Sequence, residues 1–166
     1  HDGPRPLAFG IKRPNDAMLN RRKIGGILAR AIPKGNRLEG VIVGIGLNIN
    51  TPKADLDAIE RPVWPATSLF AESGKEFNVA EIRRLLGESF HRHLRRFFDE
   101  GFAGFREAVN TLELLQGERV RFRVAEEDVR EGVFRGVDAE GLILLEEAEG
   151  IKAYVSGEII EVLSLR

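Results

Sequence analysis

KRPNDAMLNRRKIGGIL, residues Lys12–Leu28, is the stretch around which the chain is organised. Pro14 fixes its own φ and drives Arg13 towards extended backbone, so Leu7–Lys12 is expected to arrive as a strand. Asn15 and Asp16 then turn the chain by bonding their side chains to nearby backbone. Gly25 and Gly26 strip Cβ atoms from an otherwise apolar segment, as happens where a ligand presses against backbone. Lys12 and Lys23 stand at either end of this bare floor, and cationic donors there suit an anionic ligand. A surface hairpin with solvated lysines accounts for the same features.

Outward from this stretch the chain reads as strands. Ala17–Asn20 continues after the turn, and Asn20-Arg21-Arg22 turns into Lys23–Ile32. Pro33-Lys34-Gly35-Asn36 closes a hairpin onto Leu38–Asn48. Ile24–Ile32 and Val41–Ile49 are near-continuous apolar runs, the pattern of strands covered on both faces. Gly44-Ile-Gly46-Leu-Asn-Ile49 is a partial dinucleotide fingerprint, but its third glycine is absent and Thr51-Pro52 replaces the helix that should follow. Its glycines instead let a ring lie against backbone, and Asn48 can offer a donor and an acceptor to a heterocycle edge. Thr51–Ala66, with Pro52, Pro62 and Pro65, reads as a long loop flanking the site. Trp64 within it either covers a ring-shaped ligand or anchors the loop. His1–Pro6 reads as a loose entry.

Asn78-Val-Ala-Glu81 has the form of a capping box. It opens a helix whose Ile82, Leu85, Leu86, Phe90, Leu94 and Phe97 follow the 3.6-residue period. Four i,i+4 charge pairs, from Arg84–Glu88 to Arg96–Glu100, mark a solvated face rather than a nucleic-acid patch. His91 and His93 are a poor metal pair on a helix. Gly101 stops this helix, and Phe102–Leu112 is expected to form a shorter one. From Leu114 onwards, glycines separate five short β-prone runs: Arg119–Val124, Val129–Val137, Leu142–Glu147, Ile151–Val155 and Ile159–Leu163. Asp138-Ala-Glu-Gly141 is a hairpin turn between two of them. Short strands at this density suggest a small barrel.

The 166 residues carry a net charge of −1, with 43% hydrophobic and 31% charged side chains. That composition suits a globular domain with a core and lacks the basic field of a nucleic-acid binder. With no cysteine there is no disulfide, thiolate catalysis or cysteine metal site, which fits a reducing compartment. No apolar run reaches the ~20 residues of a membrane span. The chain starts at His1 rather than at methionine, which fits a fragment or a processed chain.

KRPND, then RRKIGGIL, then VGIGLNIN at Val43–Asn50 resembles the second half of the biotin protein ligase catalytic domain. That family has a Lys-Trp-Pro-Asn-Asp turn, a lysine-led Gly-Ile-Leu strand and a Gly-φ-Gly-φ-Asn strand end, in this order. PATSL at Pro65–Leu69 and Gly157-Glu158 are similar too. The resemblance implies an α+β fold: a mixed or antiparallel sheet with packed helices over 1–113, then a small SH3-like β-barrel over 114–166. It implies ATP-dependent formation of biotinyl-5'-AMP and transfer of biotin to a lysine of a biotin carboxyl carrier protein or carboxylase carrier domain. Biotin and ATP would be substrates, with Mg2+. Lys23 would be catalytic, contacting the biotin carboxyl and the α-phosphate, with Gly25 and Gly26 lining the biotin pocket. Lys12, Asn15, Asp16, Asn48 and Trp64 would face the nucleotide. Asp16 could equally be a turn residue or act in the site through a metal or hydrogen bonding, and Glu158 could be a solvated residue or a carboxylate turned towards the nucleotide.

Two departures stand out. Arg13 replaces the family's usual tryptophan. The family's Gly-Arg-Gly-Arg loop and Ser-Thr-Asn segment have no counterpart in His1–Leu7, so the chain alone would hold a half-site. A cytoplasmic location is expected, no DNA-binding segment is visible, and a homodimer is compatible with the resemblance. The competing reading is a non-catalytic relative whose barrel and helices bind a partner. A lipoate ligase should lack the KRPND turn.

Overall fold

Asn20 and Arg21 both adopt positive φ, 49° and 60°. This is the backbone of the tight hairpin turn whose twist matches the strands on either side. It joins β2 (Asp16–Leu19) to β3 (Arg22–Lys34). With β1 (Phe9–Lys12) and β4 (Arg37–Leu47) they form a sheet in the order β1-β2-β3-β4. The computed structural model describes residues 7–59 and 64–163. The expected entry segment His1–Pro6, and Pro62 of the proline-rich stretch, lie outside them.

The β2–β3 register pairs Asp16 with Gly26 and Ala17 with Gly25, then shifts so that Met18 pairs with Lys23. Ile24 is the extra residue of this bulge and is buried beside Met18 and Leu19. In β3–β4, Gly26 faces Gly46 and Leu28 faces Gly44. The two apolar runs were expected to be covered on both faces, and here the structure differs. From Ile27 to Lys34 and along most of β4 the side chains are exposed, Leu28 to 70%. No second layer among the described residues covers either face of this ribbon.

The proline-rich segment is not wholly a loop. It contains the short helix α1 (Lys53–Asp57), whose Leu56 is buried. Helix α2 (Leu69–Ser73) follows, capped by Ser68, whose hydroxyl accepts from the Ala71 N–H at 2.9 Å.

The chain forms two compact units. The first comprises residues up to Gly10 with Asn15–Phe77; the second comprises Ile11–Pro14 with Asn78–Arg166. Helix α3 (Val79–Glu100) opens as its sequence predicts, with Asn78 Oδ1 accepting from the Ala80 and Glu81 N–H groups. Arg84–Glu88 and Arg96–Glu100 pair along it, and Gly101 caps it. A 3-10 turn at Phe102–Phe105 leads into α4 (Arg106–Leu112).

The C-terminal strands are β5 (Arg119–Ala125), β6 (Asp128–Val137), β7 (Ile143–Glu147), β8 (Gly150–Tyr154) and β9 (Glu158–Val162). They form one antiparallel sheet in the order β8-β7-β6-β5-β9, a strand number and order that suit an SH3-like barrel. Val120, Phe122, Phe134, Leu145 and Ile159 point to one side and build its core. Gly157, at φ 152°, lets the backbone pass close to the core, since a Cβ there would sit 2.2 Å from Phe122 Cζ. The Asp138 turn forms as expected, its Oδ1 accepting from the Glu140 and Leu142 N–H groups. The α+β architecture with antiparallel sheets is thus the one expected from the sequence.

Candidate functional site

The first unit contains a cleft of about 570 Å³ whose floor is backbone. Gly25 and Gly26 of β3 and Gly44 and Gly46 of β4 line it, with Asn15, Lys23, Asn48 and Ala66 around them. Close approach explains the first glycine, because a Cβ on Gly25 would stand 2.2 Å from the Gly46 carbonyl oxygen. The bare floor read from the glycine pair is therefore doubled by a second one across the hairpin.

Lys23 is held by its own backbone. Its N–H donates to the Pro65 carbonyl at 2.9 Å, and its carbonyl accepts from the Thr67 N–H at 2.8 Å. Its Nζ meets Asp16 Oδ1 at 2.5 Å, with the side chains 32% and 14% exposed. A half-buried lysine so anchored presents a positive charge at a fixed point of the cleft. Asp16 orients it, and the bulge at Ile24 brings the two side chains together. Asn15 lines the cleft beside them, its carbonyl accepting from the Ile27 N–H at 2.9 Å.

Asn48 ends β4 at the cleft. Its N–H donates to the Ile24 carbonyl at 2.8 Å, and its side-chain amide donates to the Thr67 carbonyl at 3.0 Å. An amide has two N–H donors and an oxygen acceptor, so a donor and an acceptor are left to address a ligand edge.

The PATSL segment contributes more than its sequence discloses. Thr67 and Ser68 are fully buried. Ser68 Oγ donates to the Thr51 carbonyl at 2.7 Å, and Thr67 Oγ1 donates to Glu72. The Ser68 bond, with that from the Asn48 amide to the Thr67 carbonyl, clamps the strand end at Asn48 to the segment that holds Lys23. Nothing local in the sequence pairs residues so far apart, so only the recurrence of the motif could have pointed to them.

Not every expected residue lines the cleft. Trp64 is not among the lining residues; it is half-buried, with the Arg21 guanidinium 5.8 Å from its ring centroid and its Nε1 buried without a hydrogen-bond partner. Lys12 belongs to the second unit and is likewise not among the lining residues. Glu158 opens β9 and pairs with Arg123 at 2.7 Å on the exposed side of the sheet. His93 is spent locally, its Nδ1 2.7 Å from the Ser89 carbonyl. Among the described residues no three His, Asp or Glu side chains are grouped to hold a metal ion. No helix among them is long and apolar enough to cross a membrane.

Residues 116–160 match the family model described as Biotin protein ligase C terminal domain. The chain is 32% identical over 149 residues to the bifunctional ligase/repressor BirA of Bacillus spizizenii, covering 90% of this chain and 45% of that protein. It is 31% identical to the biotin–[acetyl-CoA-carboxylase] ligase of Paracoccus denitrificans, covering 91% of this chain and 62% of the relative. Among solved structures, the biotin protein ligase from Aquifex aeolicus in complex with biotin and ATP matches at 28% identity and a TM-score of 0.72. That match covers 90% of this chain and 60% of the Aquifex chain. The chain therefore spans about half to three-fifths of the length of these proteins. Over about nine-tenths of its own length, this chain is similar to the biotin protein ligases.

Proposed function

We propose that this chain is the nucleotide-facing and C-terminal portion of an ATP-dependent biotin protein ligase. The observation that carries the reading is the fixed Lys23–Asp16 pair over a glycine-backbone floor that ends at Asn48. In the reaction, a biotin carboxylate oxygen attacks the α-phosphorus of ATP. The bond to pyrophosphate breaks and biotinyl-5'-AMP forms. A carrier lysine amine then attacks the acyl carbon, and AMP leaves. The first step brings two anions together and gathers charge on phosphorus, where a preorganised cation contributes most. Lys23 has the anchoring that role demands, and Gly25 and Gly26 let the biotin ring system lie against backbone.

Asn48 would read the adenine edge, Asn15 and Lys12 the phosphates, and Trp64 would close over the base. A magnesium ion arriving with the nucleotide would neutralise phosphate charge. Asp16 suits it, since magnesium is commonly held by one or two carboxylates together with substrate phosphates and water. The strands from about residue 114 would form a separate domain that supports ATP use or carrier transfer. The partner would be a biotin carboxyl carrier domain, and the compartment the cytoplasm.

The test uses the full-length gene product that contains this chain. Biotin-dependent exchange of labelled pyrophosphate into ATP, followed by biotinylation of a carrier-domain lysine, is the expected result. Absence of both would favour the partner-binding alternative. Quenching or a shift of Trp64 fluorescence on adding a biotinyl-adenylate analogue checks the cover, and an unchanged signal at saturation would remove Trp64 from the site.

A further inference from the structure

Ile11 and Glu113 form an isolated parallel bridge, and the Leu114 N–H donates to the Ile11 carbonyl at 3.0 Å. The end of β1 is thereby tied to the segment that leads into β5, within the second unit. At this tie Glu113 is only 7% exposed. Its Oε1 accepts a long hydrogen bond from the Leu115 N–H at 3.4 Å, and its Oε2 is buried with no hydrogen-bond partner. Arg13 Nε is buried without a partner as well.

An unsatisfied donor on a cation and an unsatisfied acceptor on a carboxyl group thus lie two residues from, and at, the same bridge. A buried charge left alone is expensive, so each group is the available compensation for the other. Lys12 and Arg13 are the charged side chains whose fields act on Glu113, and Glu113 acts in turn on Arg13. Burial pushes the Glu113 carboxyl up to about 7, opposed by the Leu115 and Leu114 N–H groups and by those two cations. Burial also holds the Arg13 guanidinium below its usual range. Arg13 stands where the related motif has tryptophan, and an arginine there needs a counter-charge that tryptophan does not.

We propose that Glu113 is a positioning residue: ionised, it holds Arg13 and Lys12 against the segment before β5 and so fixes Lys12 for an anionic ligand. This rests on the reading of Lys12 as a nucleotide-phosphate contact. Protonated, Glu113 loses its charge, and its hold on Arg13 and Lys12 weakens. The carboxylate thus adds a charge-dependent coupling to the backbone tie between the strand that carries Lys12 and the segment leading into the C-terminal sheet.

Two measurements on the full-length gene product test the proposal. Without ligand, the ¹⁵N signal of Arg13 Nε should titrate between pH 6 and 8 and should stop doing so in Glu113→Gln. With ATP and magnesium, the KM for ATP should fall by roughly 5-fold or more over the same range beyond any change in Glu113→Gln, with kcat little altered. The Gln variant subtracts the titration of ATP itself. If Glu113→Gln does not fold, Glu113→Met serves instead, since it too removes the titrating carboxyl and its unbranched side chain adapts to a buried gap. A flat Arg13 signal, or the same KM profile in wild type and variant, overturns the proposal. An Arg13 signal that titrates in a protein that binds no ATP overturns the nucleotide reading of Lys12 and leaves the pairing standing.

Discussion

The β3–β4 ribbon and the C-terminal sheet are both antiparallel and both rich in branched apolar residues, yet their side chains meet different surroundings. In the C-terminal sheet, alternate residues of β5 and β6 turn inward, and Phe122 is 1% exposed. In the ribbon, apolar residues face both ways and Leu28 is 70% exposed. The first pattern supplies its own core from its own strands. The second has the composition of a strand with a layer on each side, without those layers among the described residues. An apolar run therefore states how much cover a strand requires, while strict alternation states that the sheet itself provides it.

The largest effect should come from truncating the self-made core. Phe122→Ala should destabilise the protein by about 3–5 kcal/mol in chemical denaturation, whereas Leu28→Ala in the 166-residue chain should stay within about 0.5 kcal/mol. A comparable loss at Leu28 would mean that the ribbon is covered in solution, and the contrast would fail. Next comes the point where the ribbon turns into a site. Gly25→Ala forces a Cβ onto the Gly46 carbonyl, which should cost about 1–3 kcal/mol and widen the cleft floor. Unchanged stability with unchanged ligand affinity would show that the strands separate freely there.

A third prediction concerns pH in the packed unit. The Glu113 carboxyl is raised from 4.5 to about 7 by burial. The folded protein therefore keeps this proton after the unfolded chain has lost it. The sign follows: stability falls as pH rises from about 4.5 to about 7, then levels off. Thermal melts of Glu113→Gln should lack that decline, and a parallel decline in the variant would assign it to other groups. The smallest effect belongs to the exposed side of the same sheet. A double-mutant cycle on Arg123 and Glu158, roughly half exposed, should give a coupling of about 0.2–1 kcal/mol. A much larger value would point to a task for Glu158 beyond the cross-strand pair.

Much of this was legible in the sequence. Leu38–Asn48 was expected as a strand and is found at Arg37–Leu47; the Asn78 cap, the Gly101 stop and all five C-terminal strands follow equally closely. These features are local, set by periodicity, capping and turn chemistry. Helix α1 was missed because five residues between prolines are too few to display a 3.6-residue period. The Lys23–Asp16 contact was not legible because it depends on the one-residue bulge at Ile24. The Thr67–Ser68 clamp and the Glu113 tie depend on pairings across long sequence separations, which no local pattern encodes. Gly25 and Gly26 line the cleft, and Gly44 and Gly46 join them there only through the hairpin register.

Lys23 carries the chemistry proposed for this cleft, so its removal is the decisive measurement. In the full-length gene product, Lys23→Ala should slow biotin-dependent adenylate formation by about 10²–10³-fold, the scale for one preorganised donor. The affinity for ATP should change far less, because the charge is needed most in the transition state. A variant that keeps most of its adenylation rate, or loses rate and ATP affinity in equal measure, would contradict the assignment.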